Sequence, residues 1–197
     1  MGNYNKAYYD KIENAFKVNQ KIKTESTLDK RYGFDFPFST FIYSMSILTP
    51  QMYGSRLESY IIEKFKLDRV SSKDGLGDFQ DSLCQKYELK VSLITVTNNC
   101  LNMVQIRPWQ GINGYLMIAI DTRSSPVNLY AFQLSKQQLL DELIQLNASS
   151  AHGTKKANAS NGKIELRMSL KIDNNDVDFQ RWMSEYYNTQ LSNKFVK

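Results

Sequence analysis

The stretch that decides the fold runs Gly77-Asp78-Phe79, then eight residues, then Glu88-Leu89-Lys90-Val91-Ser92. Side chains alternate along an extended strand, so Glu88, Lys90 and Ser92 share one face while Leu89, Val91 and Leu93 share the other. The apolar set is suited to pack on a helix. That leaves a carboxylate and an ammonium adjacent on a central strand, where unpaired charge is expensive. Asp78 lies at a separation that one strand and a turn can bring back beside Glu88.

Working outward, the period changes on either side. Upstream, Thr49-Pro50 predicts a helix start, because Thr caps and Pro is tolerated at the first helical position. Tyr53, Leu57, Tyr60, Ile61 and Lys64 then recur at helical spacing to about Phe65, with Gly54 as a mild cost inside. Residues 68–77 read as loop. Tyr87–Thr97 and Leu101–Arg107 read as two strands around Asn98-Asn99, a hairpin signal. Tyr115–Asp121 and Val127–Phe132 add two more strands. Ser135, with Gln138 three residues on, has the spacing of a capping box opening a helix with the stripe Leu139, Leu140, Leu143, Ile144. Residues 147–163 are small and polar, a long loop of the kind that tends to be functional or disordered. Ile164–Ile172 alternates as a strand. A final helix begins near Asn174 with Phe179, Trp182, Met183 and Tyr186 on one side and Asp176 and Asp178 at its start. At the other end, residues 4–22 carry Tyr8, Ile12, Ala15, Phe16 and Ile22 at helical spacing, and Arg31–Leu48 is aromatic without a clear period. The expected fold class is α/β, a central mixed β-sheet flanked by helices. It forms a single domain, with an N-terminal helical part over about 1–48, a core over about 49–147 and a basic loop, strand and helix over about 148–197.

Two carboxylates with an open position suit Mg²⁺, which prefers oxygen ligands and retains water. A metal held there can polarise a phosphodiester and lower the pKa of a bound water. Lys90 can orient that water and offset transition-state charge. The alternative is an ordinary E-x-K surface ion pair. Against it stand the upstream Asp after a Gly-containing loop, a preceding helix bearing Glu58, and a following strand ending Gln105-Ile106-Arg107-Pro108-Trp109.

These residues resemble the PD-(D/E)XK nuclease superfamily, and within it the small type II restriction endonucleases. Glu58 on the early helix, Asp78 before the hairpin, and Glu88-Leu89-Lys90 with Ser92 on its first strand carry the resemblance, over the element order of about residues 50–145. Where the family has Pro before the first Asp, this chain has Gly77. The resemblance implies that Asp78 and Glu88 bind Mg²⁺ with the Leu89 carbonyl as a further ligand, that Lys90 is the catalytic lysine, and that Glu58 matches a helical glutamate of many members. Ser55 and Glu58 also have capping-box spacing, but the Thr49-Pro50 start argues that the helix is already under way there. Asp74 and Asp81 are acidic alternatives to Asp78.

With a two-residue turn, Arg107 falls opposite Lys90 and Gln105 opposite Ser92 on the active face, either as phosphate contacts or in an ordinary edge role; a one-residue shift reverses the facing. The loop His152-Gly153-Thr154-Lys155-Lys156-Ala157-Asn158 has the chemistry of a DNA contact. His152, Thr154, Lys155, Lys156 and Asn158 can reach phosphates or base edges, against the alternative of a solvated basic loop.

Composition sets the outer limits. The chain has 197 residues; 42% are hydrophobic and 23% charged, enough apolar material for a core and no case for global disorder. The net charge of +5 is compatible with a polyanionic partner. No stretch approaches the roughly 20 apolar residues of a membrane span. The start lacks the apolar core of a secretion signal, and Lys6 breaks a myristoylation pattern. Cys84 and Cys100 with His152 are too few for a disulfide framework or a four-ligand zinc site. The cytoplasm is the expected setting. The leading expectation is a Mg²⁺-dependent, sequence-specific endonuclease of double-stranded DNA, a homodimer on palindromic sites, with a possible companion methyltransferase acting on the same site. A repair or recombination nuclease of the same fold, or a non-catalytic nucleic-acid-binding module, are the competing expectations.

Overall fold

The computed structural model describes residues 50–71, 76–123, 127–150 and 163–196. The helix expected over 4–22, the aromatic segment 31–48, Asp74, and the loop residues His152, Thr154, Lys155, Lys156 and Asn158 lie outside the described residues.

Helix α1 (Pro50–Lys64) starts at the proline, as the Thr-Pro pair predicts, and runs straight past Ser55. Ser55 therefore lies in the helix interior, not at its N-terminal boundary. Two short strands follow, β1 (Asp68–Arg69) and β2 (Phe79–Gln80), then the long β3 (Lys86–Ile94). The remaining elements are β4 (Cys100–Ile106), β5 (Gly114–Asp121), β6 (Asn128–Ser135), α2 (Lys136–Gln145), β7 (Ser149–Ser150), β8 (Leu166–Lys171), α3 (Val177–Glu185) and α4 (Thr189–Val196).

The strands form two sheets. The larger has the order β1-β2-β3-β5-β6, with β3 and β5 parallel and its other pairs antiparallel; the smaller is β4-β8-β7, antiparallel throughout. The class is α/β with a mixed sheet, as expected. One correction concerns its cover: α1 packs on one face, whereas the other is covered by the smaller sheet together with α2 and α3. Tyr115-Leu116-Met117-Ile118-Ala119-Ile120 of β5 is buried on both sides, and its apolar run without alternation is what a doubly covered strand requires.

That run also explains the second correction. Strands β3 and β4 do not form the hairpin that Asn98-Asn99 suggests, so Arg107 is not opposite Lys90 and Gln105 is not opposite Ser92. A strand has two edges. One edge of β3 pairs with β2, and the other is taken along its length by β5, from Tyr87↔Gly114 to Ile94↔Asp121. The chain therefore turns a corner at 95–99, with Thr95 N–H donating to the Asn98 carbonyl at 2.8 Å and Asn98 Nδ2 donating to the Leu93 carbonyl at 3.2 Å. Strand β4 leaves to pair with β8, and the link left to β3 includes a bond from Asn102 N–H to Ser92 Oγ at 3.3 Å. A register shift between Met103 and Ile106 leaves Val104 and Gln105 both exposed, with Gln105 at φ 56°.

Helix α2 opens with the expected capping box: Ser135 Oγ accepts from Gln138 N–H, and the Gln138 side chain accepts from Ser135 N–H at 2.8 Å. Its inward stripe differs from the expected one. Ile144 is 79% exposed, and Glu142 is buried in its place. The carboxylate accepts hydrogen bonds from both arms of Arg181, from Trp182 Nε1 at 2.7 Å and from the Tyr186 hydroxyl at 2.9 Å. Burial pushes the Glu142 pKa up, but these donors outweigh it and hold the carboxyl below its ordinary value. Helix α3 begins on the Asp176 cap and buries Phe179 and Trp182. Sequence periodicity did not signal α4, which starts beside Asn188, whose Oδ1 accepts from Leu191 N–H at 3.0 Å.

Removing one partner of a buried pair leaves the other charge uncompensated. Glu142→Ala is therefore expected to destabilise the fold by about 3–5 kcal/mol, measured by urea denaturation. Because the folded carboxyl is held low, its contribution is present above the ordinary carboxylate pKa and is lost as pH falls through the folded value. The gap between wild type and Glu142→Gln should accordingly narrow in acid.

Candidate active site

The hairpin that matters is β2–β3, and its turn is built by Asp81. Asp81 Oδ1 accepts from Leu83 N–H and Gln85 N–H, each at 2.9 Å, which assigns this acid to the turn rather than to the metal. The pairs Phe79↔Tyr87 and Gln80↔Lys86 set the register, and the two rings of Phe79 and Tyr87 stack at 5.3 Å. Continuing that register one residue puts Asp78 across from Glu88, on the same face of the sheet. Asp78 N–H donates to the Tyr87 carbonyl at 2.8 Å, and Asp78 Oδ2 accepts from Leu89 N–H at 2.8 Å. The Leu89 carbonyl faces the same edge as its N–H, past the last ladder pair of β2.

Gly77 has a physical reason to precede Asp78. Its φ is +89°, and a Cβ there would lie 2.5 Å from the Tyr87 carbonyl oxygen. Pro, fixed near φ −65°, cannot take that conformation. This left-handed residue delivers Asp78 to β3.

Glu88 is 7% exposed. Its Oε1 accepts from Lys90 Nζ at 2.6 Å and its Oε2 from Gln110 Nε2 at 3.3 Å. The opposite side chains of β3 behave as the alternation predicts: Leu89 and Leu93 pack with Leu57 and Ile61 of α1. Glu58 joins from α1. Burial pushes its pKa from 4.5 up to about 7; Lys90 and Arg69 pull it down, while Asp78 and Glu88 push it further up. The Asp78 carboxyl is raised by burial and by Glu88, opposed by the Leu89 N–H bond, Lys90 and Arg69. Glu58, Asp78, Glu88 and Lys90, chosen from the sequence over a span of more than thirty residues, thus occupy one electrostatic neighbourhood.

Glu58, Asp78 and Glu88 are three carboxyls set against the two cations Lys90 and Arg69, a group rich in hard oxygen donors. Among the described residues no group of three or more His, Cys, Asp or Glu side chains stands ready as a complete metal cage. Mg²⁺ does not need one, since it is commonly held by one or two carboxylates with waters. Asp78, Glu88 and the Leu89 carbonyl are donors of that kind; burial first, and then the neighbouring acids, raise Glu58 and Asp78, and a cation beside them would oppose both effects.

Gln105 and Arg107 are not delivered to this site by strand pairing. Gln105 sits on the exposed bulge, and Arg107 Nε donates to Glu165 Oε1 at 2.9 Å. Three contributors carried no sequence motif. Gln110 is buried and bonds to Glu88. Arg69, on the edge strand β1, acts on Glu58 and Asp78 and donates to Ser59 Oγ at 2.9 Å. Tyr115, register partner of Glu88, has a buried hydroxyl without a partner at strict hydrogen-bond geometry; burial and the Glu88 charge push its pKa up to about 12, opposed by the backbone and charge of Arg107. A polar crevice of about 620 Å³ lies elsewhere, between the β2–β3 turn and the α3–α4 junction, and holds none of the four sequence-chosen residues. Many of its polar groups serve the fold, as in the 2.8 Å bond from Asn188 Nδ2 to Gln133 Oε1.

Because Glu58 has a folded pKa above its ordinary value, the fold favours its protonated form. Its stabilising contribution is complete below about pH 4.5 and is lost as pH rises toward about 7. Glu58→Gln, which stays neutral, is expected to be more stable than wild type at pH 8 by at most about 3 kcal/mol and to lose that advantage by pH 4. Denaturant titrations at the two pH values measure it, and a constant difference would remove Glu58 from the buried cluster.

Compared with protein-family models the chain matches none, and no curated protein matches it at a significant level.

Proposed function

We propose that this chain is a Mg²⁺-dependent endonuclease of the PD-(D/E)XK type that hydrolyses phosphodiester bonds of double-stranded DNA, cutting at specific sequences as a type II restriction enzyme does. The observation that carries the reading is the grouping of Asp78, aimed by its bond from Leu89 N–H, with the Glu88–Lys90 pair across the β2–β3 ladder, and with Glu58 of α1 in electrostatic reach of all three. Ion-pair chemistry alone gives little reason to gather one buried and two half-buried acids together, because each raises the cost of ionising the others.

Asp78 and Glu88, with the Leu89 carbonyl, would hold the ion; when bound, Mg²⁺ polarises the phosphoryl group and lowers the pKa of a water. Asp78 is held by its bond from Leu89 N–H, and Glu88 by Lys90 and Gln110, which orients both carboxylates in advance. Lys90, already at Glu88, places a positive charge where negative charge grows on the phosphate oxygens. Glu58, with its pKa near 7, can hold or release a proton close to neutral pH. The substrate strand is polyanionic and the chain carries +5, which favours encounter. Action on both strands of a palindromic site matches a homodimer, and a host would need a methyltransferase protecting the same site.

Incubation with plasmid DNA and Mg²⁺ tests the proposal. Wild type should give discrete fragments. Glu88→Ala and Lys90→Ala should each lose about 10²-fold or more in rate while keeping the circular-dichroism spectrum of the folded protein. Cutting by both variants at the wild-type rate, or no cutting by wild type with Mg²⁺ on any DNA, would sink it.

A further inference from the structure

Next to the candidate site the chain displays an aromatic side chain that the fold does not use. Gln110 N–H donates to the Arg107 carbonyl at 3.0 Å, closing a four-residue turn with Pro108 and Trp109 at its centre. Both ends of the turn are pinned. Arg107 is held by Glu165 at 2.9 Å; Gln110 bonds to Glu88, and its carbonyl accepts from Lys136 Nζ at 2.7 Å. Between these anchors Trp109 is 44% exposed, one residue from the side chain that touches Glu88. Lys163 Nζ lies 5.2 Å from the centroid of its ring, so the indole already carries a cation beside its π-face.

We propose that Trp109 is a stacking platform for a nucleobase of the substrate strand, set beside the cut phosphate by the Arg107–Gln110 turn. A rigid, exposed indole with an adjacent ammonium matches the two faces of a nucleotide: the ring accepts the base and the cation accepts the phosphate. Every base has a π-face, so the contact requires an accessible base rather than a particular letter. A base stacked on Trp109 is one taken out of the helix stack or already unpaired, which makes the substrate strand locally single-stranded where it is cut. The inference rests on the nucleic-acid reading of the neighbouring acids and adds the class of group recognised next to them.

The chain contains two tryptophans, which makes the test direct. Trp182 is fully buried and donates to Glu142 Oε2, so accessible tryptophan emission belongs to Trp109, and Trp182 serves as an internal control of folding. The full chain is titrated with a 20-nucleotide oligothymidylate in Ca²⁺, with binding followed separately by the anisotropy of a labelled oligonucleotide. Wild-type emission should fall on binding. Trp109→Ala should bind about tenfold or more weakly, with Trp109→Phe between the two. Inorganic polyphosphate, which has charge without bases, should leave the emission unchanged. Oligonucleotide binding with unchanged emission and an undiminished Trp109→Ala affinity overturns the platform and leaves the nuclease reading standing. Equal quenching by polyphosphate also overturns it, since the contact is then one of charge. Absence of binding to any nucleic acid overturns the reading beneath it as well.

Discussion

Two hydrogen bonds from β3 to Asp78 hold the site in being. The backbone bond from Asp78 N–H to the Tyr87 carbonyl extends the β2–β3 ladder by one residue beyond its last regular pair, and the side-chain bond from Leu89 N–H to Asp78 Oδ2 aims the carboxylate. Strand β2 is two residues long and could not fix its own end. The tight turn at Asp81 and the stacked Phe79 and Tyr87 rings set the register, and register decides which face the acid takes. Gly77 then lets the incoming chain pass against the Tyr87 carbonyl where any Cβ would collide. Local backbone geometry, more than the identity of the preceding residue, is what this arrangement demands.

The hydrophobic core imposes the rest through β5. A strand buried on both faces must sit inside a sheet, so β5 takes the second edge of β3 and expels β4. Expelling β4 gives the larger sheet its second cover and sends the chain through the 107–110 turn. That turn brings Gln110 back to Glu88. The same packing that excludes the simple hairpin thus supplies a polar partner to a carboxylate that would otherwise be buried with a single donor, Lys90. Core and site are linked through one topological choice.

Local patterns were legible because their causes are local. The helix start at Pro50, the Ser135 capping box, the Asp176 cap and the alternation of β3 each depend on residues a few positions apart. Asp78 and Glu88 were readable for the same reason, being joined by a short turn. Pairing partners were not: Asn98-Asn99 marks a change of direction equally well whether the next strand returns along β3 or leaves for β8, and β5 decides that from a distance. Glu142 shows the limit of an apolar stripe. At helical spacing Ile144 and Glu142 compete for the inward position, and the acid goes in because Arg181, Trp182 and Tyr186 wait there, nearly forty residues on. Gln110, Arg69 and Tyr115 belong to no motif, and reach the acids only through tertiary structure.

The charge distribution of the site ties stability to occupancy. Glu58 and Asp78 both have raised pKa values, first by burial and then by the neighbouring acids, so here the folded chain resists ionisation. Lys90 and Arg69 oppose this, yet Lys90 leans on Glu88 in particular. A divalent cation among these oxygens favours the ionised form of every acid it faces, which lowers their pKa values and releases protons as it binds. On the proposed reading, ion affinity rises with pH across the range where Glu58 titrates, and the ion stabilises the fold most toward the upper end of that range. A surface E-x-K ion pair, already neutral and solvated, would show neither behaviour. The distinction between a metal-binding acidic cluster and an ordinary salt bridge thus lies in the sign of one linkage, fixed by the burial of Glu58.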